Sequence, residues 1–269
     1  MKKYQIVLFS FCLLLAACTA SKRLKPPAAN GPVAVKVMSY NIHHANPPSQ
    51  PGVINLDTIA AIIREQSPDF VALQEVDVCT KRSGATIDQA AYLGQKTGMQ
   101  AYFARAIDYE GGYYGVAVLS KHPIKSAETI ALPIEEGSKA EPRVVAKTVV
   151  VLPNGEEIIF GSTHLDHRKN SPSRLLQVKE INRIFQAETK PVILAGDFND
   201  TPESETMQLL QQVFNKSCSQ CPFTIPQVAP NRTIDFILFS SNWQASGHQV
   251  LNESFASDHL PVVATLQKK

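Results

Sequence analysis

The stretch Val192-Ile193-Leu194-Ala195-Gly196-Asp197-Phe198-Asn199 sets an apolar run, too short for a helix, directly against a glycine and two polar side chains. It reads as a buried strand that delivers Asp197 and Asn199 at its end. The same arrangement recurs along the chain. The alternation of Val33, Val35 and Val37 predicts a strand leading to Tyr40-Asn41, and the run Phe70 to Leu73 ends in Gln74-Glu75. Val144 to Leu152 and Glu157 to His164 flank Asn154-Gly155, a strong hairpin signal, and the second run ends at His164 with Asp166 close behind. Ile234 to Phe239 carries Asp235, and Asp258-His259 immediately precedes the run Leu260 to Leu266.

Helices intervene between these strands. Asn55 can cap a helix in which Leu56, Ile59, Ile62 and Ile63 recur at helical spacing before Ser67-Pro68 stops it. A second helix is expected over Asp88 to Thr97, closed by Gly98, and strands over Tyr102 to Ala106 and Tyr114 to Leu119 surround Gly111-Gly112. Ser171-Pro172 opens a third helix whose expected core face is Leu175, Leu176, Val178, Ile181, Ile184 and Phe185; a short helix near Glu203 to Val213 follows. Strands outnumber helices, some are joined by hairpins and others by helices, which argues for mixed sheets with helices outside and a single domain over residues 33–269. With 44% hydrophobic and 19% charged residues the chain has a core to bury, which excludes a disordered tail.

Residues 1–17 read as a lipoprotein signal peptide: Lys2 and Lys3 form the basic start, Ile6 to Ala17 the apolar run, and Leu15-Ala16-Ala17-Cys18 resembles a bacterial lipobox. Cleavage before Cys18 and lipidation of Cys18 would anchor the domain to a membrane in the bacterial cell envelope, with residues 18–32 as lipidated cysteine and tether. Loss of Lys2 and Lys3 takes the 26 basic residues to 24, equal to the acidic ones. A net charge near zero, with no run of Lys or Arg, does not favour nucleic acid as a partner. Cys218 and Cys221 either close a small disulfide or stay reduced; no further ligands at suitable spacing support a zinc site.

Polar or titratable residues therefore sit repeatedly at the ends of apolar runs: Asn41, Glu75, His164, Asp197, Asn199, Asp235, Asp258 and His259. Taken singly, each has an ordinary reading as a turn former or solvated group. Taken together they converge if the strands are neighbours in packed sheets, because strand ends then meet on one edge. Ser39-Tyr40-Asn41, Leu73-Gln74-Glu75, Thr163-His164-Leu165-Asp166, Gly196-Asp197-Phe198-Asn199 and Ser257-Asp258-His259, in that order, resemble the motifs of the endonuclease/exonuclease/phosphatase superfamily. The pairing of G-D-F-N with S-D-H carries most of the specificity.

The resemblance implies a four-layer α/β sandwich, two packed mixed sheets flanked by helices, and hydrolysis of a phosphate ester helped by a divalent metal ion. It assigns Glu75, Asn41 and Asp258 to magnesium, with manganese as the alternative. It gives His259 contact with the phosphate or acid/base work, Asp235 the orientation of its ring, Asp197 the nucleophilic water, and Asn199 and His164 the phosphate oxygens. Tyr114 and Arg143 lie where family members often present further groups. His43 and His44 follow Asn41 directly, and on a strand at most one of them would face the substrate.

Val76-Asp77 replaces the Thr-Lys that commonly follows L-Q-E in apurinic endonucleases, which points away from the nuclease branch. The expected partner is a phosphate ester, probed by a monomeric enzyme: a phospholipid, an inositol phosphate, a sugar phosphate or, less favoured, a nucleic acid. The alternative is a catalytically silent surface lipoprotein that binds a ligand or partner on the same fold.

Overall fold

A computed structural model of the chain describes Met1 and residues 33–269; the rest of the expected leader, Cys18 and the tether lie outside the described residues. Among the described residues, twelve strands and four α-helices follow in the order β1 (Ala34–Asn41), α1 (Leu56–Gln66), β2 (Phe70–Val78), α2 (Gln89–Thr97), β3 (Gln100–Tyr109), β4 (Gly112–Ser120), β5 (Ile124–Leu132) and β6 (Arg143–Val151). The chain continues with β7 (Glu157–His164), α3 (Pro172–Gln186), β8 (Val192–Asp197), α4 (Glu205–Leu210), β9 (Asn215–Lys216), β10 (Asp235–Phe239), β11 (Trp243–Val250) and β12 (Val262–Lys268).

The strands form two six-stranded mixed sheets, ordered β11-β12-β1-β2-β4-β3 and β5-β6-β7-β8-β10-β9. Their facing sides share one apolar layer, in which Val37, Phe70 and Val118 of the first sheet meet Ala146, Phe160 and Ile193 of the second. Phe70 and Phe160 stack across it at 5.0 Å. Ile59, Ile63 and Leu93 of α1 and α2 cover the outer side of the first sheet, packing with Met38 and Leu73. Val178, Ile181, Phe185 and Met207 of α3 and α4 cover the second, packing with Leu194 and Leu238. The result is the four-layer sandwich, helices outside.

Local sequence explains most of the boundaries. Asn55, Asp88 and Ser171 each accept a backbone N–H from the residue three positions on, and so cap α1, α2 and α3. Ser67 and Gly98 end α1 and α2 in the left-handed conformation. Gly196 is required for packing, since a Cβ there would lie 2.1 Å from the Thr163 carbonyl oxygen of β7.

Strands β5 and β11 are not foreseen from the sequence, because β5 is exposed along nearly its whole length and β11 alternates only weakly. Two expectations need correction. Leu176 is 37% exposed and does not belong to the core face of α3, which instead buries Ser173, Arg174, Gln177 and Asn182 beside Val178, Ile181 and Phe185. β2 does not stop at Leu73: it bulges between Leu73 and Val76 and runs on to Val78. Cys218 and Cys221 form a disulfide, and Cys79 is free.

Candidate functional site

The sheet registers bring the polar strand ends together. Across the second sheet, His164 is paired with Asp197, and Asp197 with Asp235, so β7, β8 and β10 place three titratable side chains in one row. Across the first sheet, Asn41 is paired with Gln74, next to the bulge that holds Glu75 at φ 57°. That bulge turns the Glu75 side chain, 23% exposed, away from the strand alternation and toward the other sheet. The two rows meet at Asn41, whose Nδ2 donates to Glu75 Oε1 and Asp197 Oδ2, both at 3.1 Å. Behind them the seam is fixed by Gln74 Nε2 donating to Ser162 Oγ and Ser162 Oγ donating to the Leu73 carbonyl.

His259 enters from the segment ahead of β12. Its Nδ1 donates to Asp235 at 2.9 Å, and its Nε2 lies 3.7 Å from Asp197 Oδ2. Burial works against a charged imidazole, but Asp235 beside it outweighs burial and lifts the His259 pKa from 6.5 to about 10, so the ring is an imidazolium at neutral pH. Burial and the neighbouring Asp235 carboxylate push Asp197 well above the usual carboxylate range, which makes it a competent proton acceptor.

His164 behaves oppositely. Burial and the Arg143 guanidinium hold its pKa well below 6.5. Arg143 Nη1 lies 3.3 Å from His164 Nδ1, and because a guanidinium can only donate, Nδ1 carries the lone pair and Nε2 the proton. Nε2 lies 3.6 Å from Asp197 Oδ2. Arg143 is only 4% exposed and is held by Glu141 at 2.9 Å, so it is a buried site residue.

Burial would raise the Glu75 pKa, yet the nearby imidazoles of His44 and His164 and the hydrogen bond from Asn41 hold it well below the ordinary range. An ionised, partly exposed carboxylate beside a carboxamide is an oxygen donor set that fits a hard divalent cation. Asn41 presents its amide N–H groups to the carboxylates while Oδ1 accepts the His43 backbone N–H, so service as an oxygen ligand requires the amide to turn. The Asp258 carboxylate accepts a long hydrogen bond from Ser257 Oγ at 3.4 Å, and the same hydroxyl donates to the Asn41 carbonyl at 2.7 Å. Asp258 acts on the site through charge, as one of the carboxylates that raise His259.

A cleft of about 430 Å³ opens over this edge, lined by Glu75, Tyr114, Arg143, His164, Asn199 and His259. Burial raises the Tyr114 hydroxyl pKa, so the group is a neutral donor. Asn199 sits at φ 52°, its Nδ2 donating to the Leu165 carbonyl and its backbone N–H to Asp197 Oδ1. His167, Ile225 and Arg232 also line the cleft, and the sequence offered no signal for them because they lie on loops outside any periodic run. Asp166, by contrast, is fully buried and holds Arg168 and Ser171, so it shapes the loop ahead of α3. His43 and His44 lie on a left-handed turn rather than on a strand, so strand alternation does not govern where they point, and neither lines this cleft.

The chain matches the model of the Endonuclease/Exonuclease/phosphatase family over residues 38–259. It is 29% identical over 248 residues to the uncharacterized protein YbhP of Escherichia coli (strain K12), covering 86% of this chain and 95% of that one. The solved endonuclease/exonuclease/phosphatase from Beutenbergia cavernae DSM 12333 superposes with a TM-score of 0.72 at 25% identity, over 87% of this chain and 72% of its own. A mannosyl-6-phosphatase from Bacteroides thetaiotaomicron VPI-5482 superposes with a TM-score of 0.69 at 20% identity, over 86% of this chain and 99% of its own.

Proposed function

The chain belongs to the endonuclease/exonuclease/phosphatase family, and from that membership we propose that it hydrolyses a phosphate ester, in the first instance a phosphodiester, with the help of a divalent cation. The observation that carries this reading is the meeting of two rows, Asp235, Asp197 and His164 from one sheet and Asn41 and Glu75 from the other, with His259 clamped by Asp235. A cation held at Glu75 would polarise the phosphoryl group and offset its negative charge.

The chain's own residues do the rest. Asp197, with its raised pKa, orients a water and takes its proton as the water oxygen attacks phosphorus. The bond from phosphorus to the ester oxygen then breaks, and the departing oxygen leaves as the alcohol after taking up a proton from solvent, to which Asp197 returns the one it accepted. The His259 imidazolium, the His164 Nε2–H and the side chains of Asn199 and Tyr114 are the donors available to the phosphoryl oxygens. Arg143 keeps His164 neutral and correctly turned, and Asp235 does the opposite for His259. A protein that only binds a ligand has no use for a base and an imidazolium tuned in opposite directions beside an ionised Glu75.

We place the enzyme in the bacterial envelope as a monomer, with a catalytic domain over residues 33–269 tethered through a lipidated Cys18. Among the described residues no helix is long and apolar enough to cross a membrane. The test is hydrolysis of bis-p-nitrophenyl phosphate and p-nitrophenyl phosphate, with magnesium and after chelation. Metal-dependent release of nitrophenol, faster from the diester, is expected; no turnover of either compound with magnesium or manganese overturns the proposal.

A further inference from the structure

His43, His44 and Ala45 follow β1 with φ of 45°, 43° and 60°, three consecutive left-handed residues, none of them glycine or asparagine. Each such residue costs on the order of 1–3 kcal/mol and persists only where its surroundings hold it. Here they do: Gln89, fully buried, donates from Nε2 to the His44 carbonyl at 2.7 Å and accepts the Asp77 N–H on Oε1 at 2.9 Å, which ties the turn to the strand carrying Glu75. Asn55 N–H donates to the Ala45 carbonyl at 2.7 Å.

The consequence of the turn is that both imidazoles approach one carboxylate. The ligating atoms that His43, His44 and Glu75 can offer all lie within 4.8 Å of one another. His44 Nδ1 is 3.9 Å from Glu75 Oε2, buried, and without a hydrogen-bond partner. A buried polar atom left in that condition is an exception that calls for a reason. His43 Nδ1 lies 2.8 Å from the Asn46 carbonyl oxygen, which can only accept; Nδ1 therefore carries the proton and Nε2 the lone pair. A histidine whose second nitrogen is fixed on a backbone carbonyl is the usual arrangement behind a metal-binding imidazole.

We infer that His43, His44 and Glu75 form a mixed nitrogen–oxygen cation site that takes a borderline transition ion of the cobalt or zinc type in preference to magnesium. This rests on the reading of Glu75 as a cation ligand and refines which cation it serves. Imidazole suits zinc, cobalt and nickel, whereas magnesium demands oxygen donors in near-octahedral array and keeps its waters.

The full chain, stripped with a chelator, is titrated with Co²⁺ by visible absorption and with Mg²⁺ by calorimetry. His43→Asn and His44→Asn are the informative variants, because asparagine tolerates the left-handed backbone while removing the imidazole. Each is expected to weaken Co²⁺ binding about tenfold or more and to leave Mg²⁺ binding little changed. Unaltered Co²⁺ affinity in both variants overturns the inference, and so does displacement of Co²⁺ from the unsubstituted protein by an equimolar amount of Mg²⁺, a result that needs no variant to fold. His259→Ala should keep Co²⁺ binding while losing turnover. Hydrolysis with no histidine-dependent Co²⁺ site sinks this inference alone; histidine-dependent Co²⁺ binding with no hydrolysis of any ester sinks the proposed function alone.

Discussion

Replacing Asp235 by Asn removes a charge and keeps the shape. In the structure Asp235 accepts from His259 Nδ1 at 2.9 Å and leads the groups that lift His259 from 6.5 to about 10, a difference worth about 5 kcal/mol in favour of the imidazolium. Asparagine retains an acceptor oxygen but withdraws the negative charge, and a charge at that range accounts for roughly 1–3 pH units of such a lift. The basic limb of kcat/KM is therefore expected near pH 10 in the unsubstituted enzyme and roughly two units lower in the variant, a loss of about 10-fold at pH 9 that disappears below pH 7. The sign for stability follows from the same numbers. A pKa raised on folding stabilises fully below the unfolded value and loses that contribution as pH climbs through about 10, so the midpoint of thermal unfolding should fall between pH 7 and 10 in the parent and stay flatter in Asp235→Asn. The assay is a pH profile of diester hydrolysis from pH 5 to 11 alongside melting curves. Superimposable basic limbs would mean that Asp235 does not set the charge of His259.

Other substitutions probe the remaining parts. Glu75→Gln keeps the volume of a carboxylate held ionised by its neighbours but removes its charge, and should abolish turnover with little change in melting; near-parental activity at low magnesium would refute the metal role. Gly196→Ala forces a Cβ against the Thr163 carbonyl between paired strands, and should destabilise by about 3 kcal/mol or roughly 10 °C in Tm; an unchanged melting curve would show that β7 and β8 can separate at no cost. Cys18→Ser should move the protein from the membrane fraction to the soluble one, and a variant still membrane-bound after a high-salt wash would argue against a lipid anchor.

What could be read in the sequence was whatever local chemistry announces. Asn55, Asp88 and Ser171 are side chains whose acceptors suit a helix start, and each caps one. The runs that became β1, β7, β8 and β10 are apolar because both their faces are covered, so their polar ends stood out. β5 is an edge strand with little to bury, which leaves no pattern. The bulge at Glu75 and the turn at His43 to Ala45 use positive φ without glycine, so neither has a marker in the letters, and the meeting of both histidines with Glu75 was hidden with them. Arg143, read as a site residue only through the resemblance, pairs with Glu141 two residues away, and burial beneath the cleft is something no local pattern announces.

The route of the chain through the two sheets fixes when the cleft comes into being. Strands β1 to β4 lay down most of one sheet, β5 to β10 build the other, and only then does the chain return, with β12 sliding between β1 and β11. His259 rides just ahead of that closing strand. A chain emerging in order therefore carries Asn41, Glu75, His164, Asp197 and Asp235 long before it carries the imidazolium that completes them. β1 keeps an unpaired edge until residues 262–268 arrive, so the first sheet and the proposed site are completed together, by the one segment that runs from His259 into β12.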